Sequence, residues 1–429
     1  MSVKTNTKAR PESVRVSTLP NGLTVATDVM PGIETVSVGV WVPVGTRHEP
    51  EALNGISHLL EHMAFKGTER RSATDIAVEI ESVGGNLNAY TGRERTCYYA
   101  KMLAEDLPLA TDILADILQH SRFDAEELER ERHVILQEIG QAEDTPDDIV
   151  FDHFQETAYP DQALGWPVLG RSEVIERLDR TEVAGYMQRH YGAKGTIIAA
   201  AGRVDHEAFV ENVGALFGGL GDVNGTSPTP GRYAGGDRRV ERPLEQLHIV
   251  LGFEGIGYRD PDYYALGVLS ALYGGGMSSR LFQKIREERG LAYSVYSFIQ
   301  SYADGGLFGV YAGTSSEEVG QVADIVAEEL KHLPERVTEV EIARARAQMR
   351  ADLLMGREST SSRAEQVSGQ LFAYGAPIST DTLLARIEAV DRDAVARVAQ
   401  RLMASRPTVT SIGPTKHVPA ADDVAAKLQ

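Results

Sequence analysis

Residues 218–236, GGLGDVNGTSPTPGRYAGG, concentrate glycine with Pro228 and Pro230 and offer few apolar anchors. Such a run cannot bury enough surface to join a core and reads as a linker. It divides the chain into residues 1–217, a linker over 218–239, and residues 240–429. The two sides repeat one order of elements. TVSVGVWVPVG ends at Gly45 and LHIVLGFEGIG ends at Gly257. Each is followed by an Arg, an acidic residue and a Pro (Arg47, Glu49, Pro50; Arg259, Asp260, Pro261), then by an apolar-periodic helix that stops at Gly67 or at Gly274–Gly276. A second helix ends at Gly84-Gly85 or at Gly290, two alternating strands follow, and then a helix precedes one opening E-[L/I]-x-R at Glu127 or Glu341. Asn21-Gly22, between VRVSTL and LTVATDV, marks a further hairpin.

This pattern predicts an α+β fold of two duplicated halves. Each is expected to be a mostly antiparallel sheet with helices over one face, the two forming a clam-like chamber whose cleft takes the ligand. The chain has 429 residues, 42% of them hydrophobic, which is enough for real cores. Its 43 Lys plus Arg against 62 Asp plus Glu give a net charge of −19, which argues against nucleic-acid binding. No apolar run is long enough for a membrane span. The basic N-terminal stretch with Lys4, Lys8 and Arg10 lacks the apolar block of a secretory leader. A single cysteine, Cys97, excludes an internal disulfide and agrees with a cytoplasmic location. Any metal must then be held by His, Asp or Glu.

The chemistry concentrates in NGISHLLEHMAFKG, residues 54–67. His58 and His62, four apart on a helix, point the same way one turn apart and can share a cation. Glu61 lies close enough to reach a water on that cation. A carboxylate is the natural third ligand. The helix DAEELERERHVILQEIGQAED, capped by Asp124, places Glu131 and Glu138 two turns apart on one face, beside an expected buried stripe of Val134, Ile135 and Ile139.

H-x-x-E-H followed by Glu138, 76 residues after His62, resembles the pitrilysin/insulinase family of zinc peptidases. Within it the likeness runs to the catalytic subunit of mitochondrial processing peptidase and its bacterial homologues. The resemblance implies one zinc ion per chain on His58, His62 and Glu138, Glu61 as general base on the metal-bound water, and Glu131 as a supporting glutamate. It implies that Asn88, Ala89 and Tyr90, in GGNLNAYTGRERTCYYA, belong to an edge strand that takes up substrate as an added strand. Tyr98 and Tyr99 are read as strand residues facing the core. In REERGLAY, Arg286 stands seven residues before Tyr293, the spacing of the family's pair that reaches across the cleft to substrate. Apart from the resemblance, Arg286 reads as a surface charge and Tyr293 as a core residue. Asp148 and Asp152 match positions that receive a substrate arginine, and equally suit a helix start after Pro146.

The expected activity is therefore a zinc metalloendopeptidase that cuts unfolded or presequence-like peptides. A homodimer is the expected assembly, with a heterodimer containing an inactive homologue as the variant. The rival is a catalytically silent structural or assembly subunit on the same fold. The second half has YYALGVLSALYGGG where the motif would recur, so it carries no second metal site.

Overall fold

The computed structural model describes residues 13–429, so Lys4, Lys8 and Arg10 lie outside the described residues. β1 (Val14–Thr18) and β2 (Thr24–Val29) form the hairpin expected at Asn21-Gly22, with Gly22 at φ 89°. β3 (Thr35–Val42), β4 (Asn86–Thr91), β5 (Thr96–Leu103) and β6 (Ile197–Gly202) complete a six-stranded sheet of order β1-β2-β6-β3-β5-β4. The second sheet holds β7 (Gly236–Glu241), β8 (Leu247–Gly255), β9 (Ala292–Ser301), β10 (Gly306–Thr314) and β11 (Thr408–Gly413), in the order β7-β11-β8-β10-β9. The parallel pair β2–β6 in one sheet corresponds to β7–β11 in the other, and the remaining pairs are antiparallel. The duplication is thus visible strand by strand, with β4 and β9 as matching edges. β7 starts at Gly236, inside the segment read as linker. The helix expected before Gly290 is a six-residue π-helix, Phe282–Glu287, in which the Glu288 amide reaches back to the Gln283 carbonyl.

Coverage of the sheets differs from the expectation of helices over one face. One face of the first sheet packs on its own half's helices, with Leu59, Leu60, Ile113 and Leu114 in a large core. The other face receives a helix from the opposite half, Thr360–Tyr374, whose Ala364, Val367 and Leu371 pack on Ala26, Trp41, Ile197 and Ala199. Reciprocally, helix Pro146–Ala158 crosses to the second sheet, where Val150, Phe154 and Ala158 meet Val250, Leu307 and Ile412. Near-continuous apolar strands such as IIAAAG are what burial on both faces demands, and every residue of β6 is buried.

Buried ion pairs fasten the exchange. Arg363 grips Asp28, which is 1% exposed, with Nε–Oδ2 at 2.6 Å and Nη2–Oδ1 at 2.5 Å. Arg47 pairs with Glu94 at 2.5 Å and with Asp304 of the second half at 2.9 Å. It also donates to the Thr229 carbonyl at 3.1 Å, and Asp304 accepts from the Gly231 amide at 2.9 Å, so this part of the connecting segment is tied down. A cavity of about 970 Å³ lies between the halves, lined among others by Tyr90, Arg95, Tyr258, Asp304 and Phe372.

Candidate active site

Helix Ile56–Ala64 carries the H-x-x-E-H motif. Ile56, Leu59, Leu60 and Met63 are fully buried, and this fixes the rotation that leaves His58, Glu61 and His62 half-buried along the opposite stripe. Its N-cap, Gly55, has φ 95° and no capping side chain. The first turn is instead capped from a distance. Glu49, 3% exposed, accepts from the Gly55 and Ser57 amides at 2.8 Å each and from Asn54 Nδ2 at 3.1 Å. Burial pushes its pKa up to about 7, with those hydrogen bonds pulling the other way.

Helix Ala125–Glu143 supplies the carboxylates. Asp124 caps it, accepting from the Glu126 amide at 2.8 Å. Ile135 and Ile139 are buried as the expected stripe requires, whereas Val134 is 37% exposed and faces outward. Glu138 Oε2 lies 3.8 Å from His58 Nε2 and 3.7 Å from His62 Nε2. One ligand atom from each of the three lies within 4.8 Å of the others, and this is the metal-capable group among the described residues. Glu131 is buried behind it. Its Oε2 is 2.9 Å from His62 Nδ1 and its Oε1 is 2.6 Å from Lys66 Nζ.

The donor set fits a zinc ion. With Nδ1–H directed at Glu131, His62 turns an Nε2 lone pair toward His58 and Glu138, the tautomer that a ligand needs. Burial, with His62 adding to it, lowers the His58 pKa to about 4, so its imidazole is neutral. Three protein ligands from His and Glu leave a fourth tetrahedral position open, the arrangement of catalytic rather than structural zinc. His58 Nδ1, unlike that of His62, is buried without a hydrogen-bond partner.

Glu61 borders this group. Thr91 Oγ1, at the end of β4, donates to Glu61 Oε2 at 2.5 Å. Burial raises the Glu61 pKa above the ordinary carboxylate range, while the Thr91 hydrogen bond and His62 pull it down. Among the described residues β4 is the open edge of its sheet and pairs with β5 alone, and it carries Asn88, Ala89 and Tyr90. Asn88 and Tyr90 are exposed and Ala89 half-buried. The Tyr90 hydroxyl donates to Glu365 at 2.7 Å and accepts from Trp41 Nε1 at 3.2 Å, which ties the edge strand to the crossing helix. Tyr98 is fully buried and Tyr99 half-buried. Sequence reasoning passed over Lys66 and Thr91. Lys66 stands four residues after His62, and Thr91 shares the strand face of Ala89, so spacing alone offered the signal.

Arg286 lies over the Tyr293 ring at 4.7 Å and over Phe282 at 4.8 Å. Tyr293, at the start of β9, is 76% exposed, which corrects its reading as a core residue. Among the described residues, no hydrogen bond or ion pair links this pair to His58, Glu61, His62 or Glu138. Asp148 is exposed in the first turn of helix Pro146–Ala158. Asp152 lies 3.7 Å from Arg93, and burial raises its pKa against the pull of that guanidinium. Neither Arg286 nor Asp152 lines the cavity between the halves, and nor do His58, His62 and Glu138.

Residues 24–172 match the family model of insulinase (peptidase family M16), and residues 177–349 match that of the peptidase M16 inactive domain. An uncharacterized zinc protease of Streptomyces coelicolor is 43% identical over 414 residues, which cover 94% of this chain and 90% of the relative. A probable mitochondrial-processing peptidase subunit beta of Arabidopsis thaliana is 40% identical over 421 residues, covering 94% of this chain and 79% of the relative. Among solved structures, a protease from Helicobacter pylori has a TM-score of 0.85 at 23% identity, covering 93% of this chain and 99% of that one. A chain of Complex III2 from Candida albicans also reaches 0.85, at 22% identity, covering 96% and 99%. At such identities these two structures speak for the fold alone.

Proposed function

The chain belongs to the insulinase family of peptidases (peptidase family M16), and on that premise we propose that it is a zinc-dependent metalloendopeptidase acting on unfolded or presequence-like peptides. The observation that carries this reading is the convergence of His58, His62 and Glu138 from two helices, with Glu61 alongside and an open strand edge one hydrogen bond away.

His58, His62 and Glu138 would hold a zinc ion, which would act as a Lewis acid and lower the pKa of a water to about 7. Glu61 takes the proton of the attacking water and returns it to the departing amine. Glu131 keeps His62 in its ligand tautomer. The substrate adds to β4 along Asn88, Ala89 and Tyr90 through backbone hydrogen bonds, which demand little of its sequence. Side chains then supply selectivity, and Asp148 and Asp152 favour a basic residue near the scissile bond.

Arg286 and Tyr293 complete the site from a second copy of the chain. Support comes from the exposure of Tyr293 on the edge strand of the other sheet and from the absence, among the described residues, of a hydrogen bond or ion pair between this pair and its own chain's His58, Glu61, His62 or Glu138. The working unit is thus a homodimer, with a heterodimer containing an inactive homologue as the variant. No described helix is long and apolar enough to cross a membrane, and the lone buried Cys97 suits a cytoplasmic setting. A catalytically silent structural or assembly subunit on the same fold is the rival reading. The intact set of His58, Glu61, His62 and Glu138 favours the peptidase.

The test is hydrolysis of a quenched peptide library by the full chain, beside Glu61→Gln and a chelated sample re-supplied with zinc. Cleavage that disappears in Glu61→Gln and returns with zinc is expected. An intact, zinc-loaded dimer that cuts nothing would favour the assembly subunit.

A further inference from the structure

The two histidines are oriented in different ways. His62 is held through its side chain, by Glu131 on Nδ1 at 2.9 Å. His58 has no such hold, because its Nδ1 is buried with no hydrogen-bond partner. Its direction therefore follows from the backbone that carries it, the first turn of helix Ile56–Ala64.

That turn cannot be capped in the usual local way. A Cβ at Gly55 would come within 2.7 Å of both Gly170 Cα and Ile175 Cδ1, so no capping side chain fits the N-cap position. Glu49 does the work from six residues upstream. Each carboxylate oxygen takes one amide, Oε2 that of Gly55 and Oε1 that of Ser57, both at 2.8 Å. The Ser57 hydroxyl lies 3.1 Å from Tyr186 Oη, which clamps the residue before His58 from a second side. Among the described residues, no Lys or Arg forms an ion pair with Glu49. Its charge is met by backbone dipoles at a helix N-terminus and by Asn54, an arrangement that works only while the amides stay aimed at it.

We propose that Glu49 is a positioning residue of the metal site, which sets the direction of His58 through the backbone as Glu131 sets that of His62 through the ring. The assignment rests on the metallopeptidase reading above. Orienting groups behind metal ligands are typically worth about 10–100-fold in metal affinity or activity.

The test uses the full-length protein, with zinc affinity measured by competition with a chromogenic chelator, and kcat and KM measured separately. Glu49→Gln keeps the shape but sets an N–H against one of the two amides, and Glu49→Ala removes both acceptors. Asp391→Ala serves as control, since it strips the cap from helix Arg392–Met403 in the other half, where Asp391 accepts from the Ala394 amide at 2.8 Å. We expect both Glu49 variants to bind zinc about tenfold or more weakly, with kcat falling more than KM rises. Asp391→Ala should lower the melting temperature and leave zinc affinity within about twofold. If Glu49→Ala does not fold, the isosteric Glu49→Gln decides the matter. A folded Glu49→Gln with zinc affinity and kcat within about twofold of wild type would overturn the assignment. So would an equal loss of zinc affinity in Asp391→Ala, because the effect would then be general destabilisation. Zinc affinity is read without hydrolysis, so a wild type that binds zinc but cuts no peptide would refute the peptidase reading and not this one.

Discussion

Glu131 is shared between His62 and Lys66, with Oε2 2.9 Å from His62 Nδ1 and Oε1 2.6 Å from Lys66 Nζ. A buried carboxylate held from both ends has one orientation, and the imidazole inherits it. Glu131→Gln should weaken zinc binding by about 10–100-fold, as read by chelator competition. Lys66→Met should also weaken it, and Lys66→Arg should recover part of the loss.

Glu61 and Thr91 define the pH response. Burial holds the Glu61 pKa above its ordinary value and the Thr91 hydrogen bond opposes that rise. The base works ionised, so activity should fall as pH drops through a midpoint above the ordinary carboxylate range. Thr91→Val removes a group that lowers the pKa, so this acid limb should move to higher pH. A pH profile of kcat/KM for the two proteins checks the sign.

Arg286 and Tyr293 should matter for turnover and not for metal. Arg286→Ala and Tyr293→Phe are each expected to lose about 100-fold in kcat, the scale of a lost oxyanion contact, with zinc affinity unchanged. Mixing a Glu61→Gln chain with an Arg286→Ala chain should raise the activity well above the sum of the two variants measured alone, through hybrid dimers that hold one intact site. No recovery on mixing verified heterodimers would place the pair in the same chain as the zinc it serves.

Arg363→Ala leaves Asp28, 1% exposed, without its bidentate partner. Breaking a buried pair from one side typically costs about 3–5 kcal/mol. Urea denaturation should show a loss of that order, and the double variant Asp28→Asn with Arg363→Met should recover part of it.

The duplication and the metal helix were legible because both rest on local regularities. Glycine stops fall at matching places in the two halves, and His58 and His62 obey helical spacing. Glu138 was reachable by the same logic on a second helix, although Val134 shows that a charged helix blurs the edge of its buried stripe. The crossing helices were not legible. Pro146–Ala158 and Thr360–Tyr374 each carry an apolar stripe, and a stripe states that a partner exists without stating which sheet it is. The role of Glu49 was hidden for a related reason. Its partners are backbone amides, which have no sequence identity, and the repeat showed it only as an acidic residue before a proline.

The reciprocal exchange of helices also has a consequence in time. Asp28 and Arg363, the two ends of one buried lock, are 335 residues apart along the chain. Synthesis runs from the N-terminus, so the half that carries His58, His62 and Glu138 emerges first with Ala26, Trp41, Ile197 and Ala199 still bare on one face of its sheet. That face closes only when helix Thr360–Tyr374 has left the ribosome. The half that holds the H-x-x-E-H helix is the first to be translated and among the last to be completed, and an interrupted chain releases a sticky fragment in place of a small folded domain.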